Sequence, residues 1–185
     1  MTNQTALVLL DWINEIVDPR GRLAAKGYAH YIDDHAVYPE VQREIDRARD
    51  GRLVIAVGLG FAPGYVDQPT SSPVFGKARE FGILEASTWS TEYTTRLTLP
   101  PHTVRLRKNR VSAFSSSLLD QLLRLHGVTT VRLAGVATDL AVEATARSAH
   151  DLDYSVEVLA AGCAAATRDD HERALTSMAK FASIV

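Results

Sequence analysis

Residues 131–161 read VRLAGVATDLAVEATARSAHDLDYSVEVLAA, and this stretch decides the fold. Residues 131–136 (VRLAGV) and 156–161 (VEVLAA) are apolar runs with the length of buried parallel strands. The segment 138–152 between them carries apolar residues at helical spacing. A strand, a helix and a second strand in this order predict a right-handed βαβ unit.

The same alternation continues on both sides of this unit. Further apolar runs are predicted strands: ALVLL (6–10), LVIAV (53–57) and VRL (104–106). Further amphipathic segments are predicted helices: residues 37–49, 115–126 and 168–181. Thr138 or Asp139 is the predicted N-cap of the helix over 138–152, and Gly127 is the predicted C-cap of the helix before it. Strands that alternate with helices predict the α/β class, with one parallel sheet covered by helices on both faces.

Residues 59–99 interrupt this regularity. They contain Pro63, Pro69 and Pro73 and show no clear periodicity. We predict a long and mostly irregular excursion from the sheet. Long loops in compact domains often build the functional site, so this segment is expected to shape a pocket.

The composition excludes several classes of protein. The chain has 185 residues, which is the length of a single domain (1–185), and its 20 basic and 22 acidic residues give a net charge of −2. This balance argues against nucleic-acid binding, and no apolar run approaches the ~18–20 residues of a membrane span. The single cysteine, Cys163, excludes an internal disulfide framework and a multi-cysteine zinc site. We therefore predict a cytoplasmic protein with neither nucleic acid nor membrane as a partner.

Polar residues follow the predicted strands at the edge where parallel sheets bind their ligands. The sequence places Asp11, Gly58, Lys108, residues 136–138 and residues 162–163 at these carboxyl ends. An Asp beside a Lys has chemical uses, because the Lys holds the Asp ionised or delivers charge to a substrate oxygen while the Asp exchanges a proton. Asp11 and Lys108 are therefore the predicted catalytic residues.

Several segments of the chain resemble the isochorismatase-like hydrolase superfamily. They are LVLLDWINEI (7–16), KNRVSAF (108–114), residues 135–165 and the closing helix. Together these segments extend over nearly the whole chain. Their order and spacing identify the superfamily more specifically than any one segment does. The resemblance implies a three-layer α/β/α sandwich around a mostly six-stranded parallel sheet, and a hydrolase with a small-molecule substrate. It also implies a homodimer or a homotetramer.

The resemblance assigns roles to individual residues. In the amidases of this superfamily an Asp, a Lys and a Cys form a triad, and a cis peptide bond before the nucleophile helix forms the oxyanion hole. Here the Asp corresponds to Asp11, the Lys to Lys108, and the cis peptide bond to the one between Val136 and Ala137. The nucleophile position is Ala141. A methyl group cannot attack a carbonyl carbon, so the thiol route is closed.

The chain departs from the superfamily at two further places. Metal-binding nicotinamidases have a histidine-bearing motif after the second strand, whereas residues 58–69 (GLGFAPGYVDQP) contain no histidine. We therefore predict no catalytic metal and no cofactor. Ile13 stands where many relatives have Gln, although Asn14 matches them.

Members of the superfamily that lack the cysteine suggest what the remaining pair does. Isochorismatases hydrolyse a vinyl ether: their Asp protonates the enol-ether carbon, and water attacks the resulting oxocarbenium ion. By this resemblance Asp11 is the general acid and Lys108 assists it. Three alternatives stay open, namely amide or ureide hydrolysis by water that Asp11 activates, a catalytically inactive binding member, and an engineered Cys-to-Ala variant that traps its substrate.

Other residues are weaker candidates for the site. Trp12 and Phe114 are the predicted pocket walls, because they are aromatic residues near the predicted mouth of the site; plain packing in the core is the alternative for both. Glu143 either faces the site or pairs with Arg147 one turn later. Cys163 is expected to be a small buried thiol rather than a replacement nucleophile. Surface or structural roles are expected for the histidines: His30, His35, His102, His126, His150 and His171.

Overall fold

A parallel sheet forms the centre of the fold. Within residues 4–48 and 51–185, which the computed structural model describes, six strands are hydrogen-bonded into it. They are β1 (Gln4–Leu10), β2 (Val54–Leu59), β3 (Val104–Lys108), β4 (Val128–Val136), β5 (Ser155–Ala164) and β6 (Ser183–Ile184). Their order is β3-β2-β1-β4-β5-β6, and all neighbouring pairs are parallel. The strand order reverses between β1 and β4, which is where such sheets bind their ligands.

Helices cover both faces of this sheet. Those of the described residues are α1 (Asn14–Val17), α2 (Tyr28–Asp34), α3 (Val37–Ala48), α4 (Ala78–Phe81), α5 (Leu119–Leu125), α6 (Glu143–Asp151) and α7 (Arg168–Met178). Leu7 and Leu9 of β1 pack in one hydrophobic core with α1 to α4, whereas Val8 and Leu10 pack in a second core with α5 to α7. This confirms the predicted three-layer α/β/α sandwich. None of these helices has the length and apolarity that a bilayer crossing requires.

The predicted helix over 115–126 is shorter than expected at its start. It begins at Leu119, because the Ser117 hydroxyl accepts the Leu119 N–H at 3.2 Å and donates to Ala113 O at 2.7 Å. Serine hydroxyls compete with helical hydrogen bonds in this way. Gly127 has φ 61° and ends the helix as predicted. Residue 49, the predicted end of α3, lies outside the described residues.

The helix after β4 begins differently from the prediction. Thr138–Val142 form a turn of π-helix that runs directly into α6, and Ala137 occupies the N-cap position. The N-cap prediction for Thr138 or Asp139 is therefore wrong. The Thr138 hydroxyl is instead hydrogen-bonded to His171 Nδ1 of α7 at 2.9 Å, so it ties two helices together rather than capping one.

The excursion over residues 59–99 is mostly irregular, as predicted. It contains α4 and two short 3₁₀ turns, Pro63–Tyr65 and Trp89–Thr91. Main-chain hydrogen bonds hold it in place, among them one from the Phe61 N–H to Leu84 O at 2.7 Å. Tyr93 forms an isolated bridge with Ile13, so the excursion returns to the residues that follow β1. It thereby lies beside the edge of the sheet where β1 ends.

Candidate active site

Asp11 and Lys108 meet at the carboxyl edge of the sheet. Asp11 directly follows β1, Lys108 is the last residue of β3, and β2 lies between these two strands. Lys108 Nζ lies 2.7 Å from Asp11 Oδ2, and both side chains are almost completely buried. The N–H of Leu59, at the end of β2, donates to Asp11 Oδ1 at 2.8 Å. The sheet therefore brings the two predicted catalytic residues into contact across the end of one strand.

The backbone at Asp11 adopts a conformation that is uncommon for a residue with a side chain. Its φ is 59°, in the left-handed region. Its N–H still donates to Val57 O of β2 at 2.9 Å, so the turn is held at the strand end. Non-glycine residues in this region cluster at functional sites. The backbone thus marks Asp11 independently of its ion pair.

The ion pair has a defined electrostatic balance. The three N–H donors of the Lys108 ammonium have three acceptors: Asp11 Oδ2 at 2.7 Å, Val111 O at 3.0 Å and Arg110 O at 3.3 Å. Burial raises the pKa of Asp11, because loss of water disfavours a carboxylate, while the Lys108 ammonium and the Leu59 N–H oppose the rise. The net direction is upward, so Asp11 keeps its proton to a higher pH than an exposed aspartate.

A cavity of about 260 Å³ opens over this pair. Asp11, Lys108 and Ala141 all lie in its wall and are buried. Among residues 4–48 and 51–185, no Ser, Thr, Cys or His lines it. The rest of the wall is mainly apolar and includes Ile16, Leu23, Leu59, Pro73, Val74, Phe75, Leu84, Val111 and Leu140. A mainly apolar cavity with a buried ion pair in its wall suits a small molecule that presents its reactive group to that pair.

The end of β4 also contributes to the cavity wall. A Cβ at Gly135 would lie only 2.5 Å from Leu10 O, so glycine is required for β4 to run this close to β1. The next peptide bond, between Val136 and Ala137, is cis, and both residues line the cavity. The turn that follows brings Ala141 into the same wall. The position that the resemblance gives to a nucleophile therefore faces the cavity with a methyl group.

Trp12 and Phe114 lie outside this cavity, and their prediction as pocket walls is wrong. Trp12 is buried in the core, where its Nε1–H donates to Ala134 O at 3.4 Å and its ring contacts Tyr38. Phe114 stacks on Tyr154 with ring centroids 5.9 Å apart. Trp12 lies just after β1, and Phe114 lies in the loop between β3 and α5. Each packs into a hydrophobic core and not into the cavity wall.

The weaker candidates also lie elsewhere. Glu143 forms an ion pair with Arg147 at 2.7 Å, the structural alternative that its spacing indicated. Cys163 is buried in the second core, and burial raises the pKa of its thiol to about 12. His171 is buried against Thr138, and no histidine lines the cavity.

Sequence reasoning missed two polar residues of the cavity, Lys26 and Tyr28. Lys26 ends the 3₁₀ turn Ala24–Lys26, and Tyr28 begins α2 directly after Gly27. It also missed Phe75, the aromatic residue that the long excursion contributes to the wall. None of these residues follows a strand, so the rule that selects strand ends does not reach them. The glycine between them, Gly27, is the one feature of the local sequence that could have drawn attention to them. A glycine indicates a turn rather than a site, and Gly27 has φ 119° in the structure.

The residues after β2 do not fit the metal ion that nicotinamidases of the superfamily bind there. Residues 58–69 contain no histidine, and Asp67 is their only carboxylate. Asp67 Oδ1 accepts the Ala62 N–H at 2.7 Å, and Oδ2 accepts Asn109 Nδ2 at 2.8 Å and lies 3.3 Å from Arg107 Nη1. Across the residues that the structure describes, no group of three or more His, Cys, Asp or Glu side chains is arranged for a metal. No catalytic step is therefore assigned to a metal ion.

Comparisons with known proteins agree with this architecture. Residues 5–185 match the Isochorismatase domain. The ureidoacrylate amidohydrolase RutB of Caulobacter vibrioides is 31% identical over 169 residues, which are 84% of this chain and 74% of that protein. An isochorismatase family protein from Desulfovibrio vulgaris superposes with a TM-score of 0.87 and 26% identity, over 100% of this chain and 94% of that one. The pyrazinamidase of Pyrococcus horikoshii in complex with zinc superposes with a TM-score of 0.80 and 25% identity, over 98% of each chain. The chain belongs to the isochorismatase family of hydrolases.

Proposed function

We propose that this hydrolase cleaves a vinyl ether in a small polar metabolite, with Asp11 as the general acid and Lys108 as its partner. One observation carries the proposal. The cavity holds a buried carboxyl group whose pKa is raised. In the described part of the chain, no hydroxyl, thiol or imidazole group of a Ser, Thr, Cys or His lines the cavity to form a covalent intermediate. Acid catalysis followed by attack of water needs no such group.

The reaction balances with these residues alone. The protonated Asp11 gives its proton to the terminal carbon of the C=C bond, and the π electrons form the new C–H bond. The adjacent carbon becomes an oxocarbenium ion, and water adds to it while its proton returns to the Asp11 carboxylate. The hemiketal then collapses to an alcohol and a ketone. The net change is vinyl ether plus water to alcohol plus ketone.

Lys108 and the main chain at Val136 and Ala137 have supporting roles in this scheme. The Lys108 ammonium stabilises the Asp11 carboxylate that remains after the proton is given up, because the two groups are 2.7 Å apart and buried. We place the substrate oxygen against the main chain of Val136 and Ala137, which lie in the wall beside Ala141. This is the position to which the resemblance assigns the oxyanion hole.

Amide or ureide hydrolysis is the second candidate, and the comparisons favour it. Relatives of this chain include a ureidoacrylate amidohydrolase and an N-carbamoylsarcosine amidase. In this scheme the Asp11 carboxylate takes a proton from water, which attacks the carbonyl carbon and expels ammonia. It requires Asp11 in its ionised form, whereas vinyl-ether hydrolysis requires the protonated form. The two candidates therefore predict opposite dependences of activity on pH.

Turnover with a chemically mixed panel tests the proposal. Isochorismate and a set of small amides and ureides are incubated with the wild type, Asp11→Asn and Asp153→Asn. Asp153 is an exposed aspartate with φ 68°, so its variant controls for the same substitution in a similar backbone conformation. We expect isochorismate to be hydrolysed, with a loss of at least ~100-fold in Asp11→Asn alone.

Other outcomes contradict the proposal in different ways. Ammonia release that depends on Asp11, without vinyl-ether cleavage, replaces it with the amidohydrolase mechanism. Equal turnover in the wild type and Asp11→Asn removes Asp11 from the chemistry. No turnover of any compound favours an inactive binding member, and ligand recovered unchanged from the protein identifies it.

We also propose that the chain forms a homodimer or a homotetramer. Several large apolar side chains are exposed on the single chain, including Leu118 at 57% and Leu125 at 78%. Light scattering after size-exclusion chromatography measures the mass directly. A species of about 20.2 kDa, the mass of one chain, contradicts the proposal.

A further inference from the structure

The cavity has a second polar feature, separate from the buried pair. Lys26 and Tyr28 line it, and Lys26 is exposed whereas Asp11 and Lys108 are buried. The catalytic pair therefore lies at the buried end of the cavity and Lys26 at its solvent side. A substrate that fills the cavity touches both ends.

Lys26 carries an uncompensated positive charge. Among the described residues, no acidic side chain forms an ion pair with it, in contrast to Lys108, which is paired with Asp11, and Lys77, which is paired with Glu80. The Tyr28 hydroxyl likewise has no hydrogen-bond partner in the part of the chain that the structure describes. A free ammonium and a free hydroxyl thus belong to two residues of the same cavity wall. Both groups can donate hydrogen bonds to an anion.

The segment that carries these residues is held in a fixed position. The buried Glu15 carboxylate accepts the Leu23 N–H at 3.1 Å and the Ser90 hydroxyl at 3.0 Å. Gly27 packs directly on the chain after β5, since a Cβ at this position would lie 2.3 Å from Ala166 O. The free donors are therefore presented by an anchored turn rather than by a freely moving loop.

The surroundings of Tyr28 keep its hydroxyl protonated. Burial and the negative charges of Asp139 and Asp170 raise the pKa of Tyr28, so it remains a hydrogen-bond donor at neutral pH. Asp139 does not line the cavity, and burial raises its own pKa as well. Asp170 also does not line the cavity, and it is paired with Arg173 at 2.6 Å. Lys26 is therefore the charged lining residue at the solvent side of the cavity.

We propose that Lys26 and Tyr28 form an anion subsite that binds a carboxylate of the substrate and directs its ether group toward Asp11. This inference rests on the proposed function for the identity of the reacting group. The anion subsite itself rests only on the cavity and its unpaired donors.

Equilibrium binding of unreactive probes tests the subsite without any turnover. Phenoxyacetate and 2-phenoxyethanol have similar size, and only the first carries a carboxylate. Calorimetric titrations compare the wild type, Lys26→Gln, Tyr28→Phe and Lys180→Gln. Lys180 is an exposed lysine outside the cavity and serves as the matched control.

The expected result is a preference of about tenfold for phenoxyacetate in the wild type and in Lys180→Gln, as one charged hydrogen bond provides. Lys26→Gln removes the preference, Tyr28→Phe weakens it, and added salt reduces it because the site is open to solvent. Thermal melting of each variant shows that it is folded. Equal binding of both probes, binding of neither, or a preference that survives Lys26→Gln overturns the inference.

These readouts separate the two proposals. Isochorismate hydrolysis that depends on Asp11, together with no preference for phenoxyacetate, refutes the anion subsite alone. A preference that depends on Lys26, together with no hydrolysis of a vinyl ether, refutes the proposed function and retains the subsite.

Discussion

At the scale of single residues, opposing effects decide the protonation state of Asp11. Burial raises its pKa, and the Lys108 ammonium at 2.7 Å lowers it. Burial is the larger of the two effects, so the protonated form persists to higher pH than in an exposed aspartate. A buried acid with a cation beside it can give up a proton and still be stabilised as the anion.

Removal of Lys108 is expected to shift the pH profile upward. With Asp11 as the proposed acid, kcat/KM of the wild type for a vinyl ether is expected to fall as pH rises through the pKa of Asp11, because the acid form is lost. Lys108→Met removes the group that lowers this pKa, so the fall moves to a higher pH, while kcat also decreases. Steady-state kinetics over a pH series measure the shift. An unchanged profile, or activity that rises with pH, contradicts the role of Asp11 as an acid.

Cys163 is expected to be chemically inert in the folded protein. It is 1% exposed, and its pKa of about 12 leaves almost no thiolate at neutral pH. Ellman's reagent should react with it only after unfolding. Cys163→Ala should keep full activity and lower the free energy of unfolding by about 1 kcal/mol, a typical value for a single substitution. Rapid modification of the native protein with loss of activity contradicts this expectation.

At the scale of elements, two turns position the cavity wall, and only one of them could be read from the sequence. The turn after β4 was expected, because residues 135–165 carry both the strand pattern and the resemblance. Its N-cap was predicted wrongly because Thr138 is hydrogen-bonded to His171, a contact between residues distant in sequence. The turn at 24–28 was missed altogether, since its role depends on close packing of Gly27 against Ala166.

Gly27 is expected to tolerate alanine far less well than another glycine of similar conformation. Gly27 and Gly51 have φ values of 119° and 107°, so alanine is disfavoured by the backbone at both. A Cβ at Gly27 meets Ala166 O at 2.3 Å, whereas a Cβ at Gly51 meets no atom of the described residues within 4 Å, its chain neighbours aside. Gly27→Ala should therefore lower the free energy of unfolding by about 1–3 kcal/mol more than Gly51→Ala. Denaturant titrations measure both, and equal losses contradict the close packing.

At the scale of the whole molecule, the parallel sheet converts distant sequence positions into one site. Asp11 and Lys108 are brought together because β1 and β3 flank β2 and end at the same edge. Apolar runs and strand ends predicted this arrangement, because the rule that produces it depends only on strand direction. The apolar walls could not be predicted in the same way. Whether Trp12, Phe114 or Phe75 faces the cavity depends on side-chain packing that no local pattern records.

The central claim is that Asp11 transfers its proton to carbon, and the fate of that proton tests it most directly. Isochorismate is hydrolysed in D₂O. The ketone product, pyruvate, is reduced at once with NADH and lactate dehydrogenase, so that its methyl hydrogens do not exchange with the solvent. Mass spectrometry of the lactate then counts deuterium in the methyl group. One deuterium per methyl group in the wild type, with no product above background in Asp11→Asn, is the predicted result. Product without deuterium at that carbon, or product formed equally by Asp11→Asn, contradicts the account.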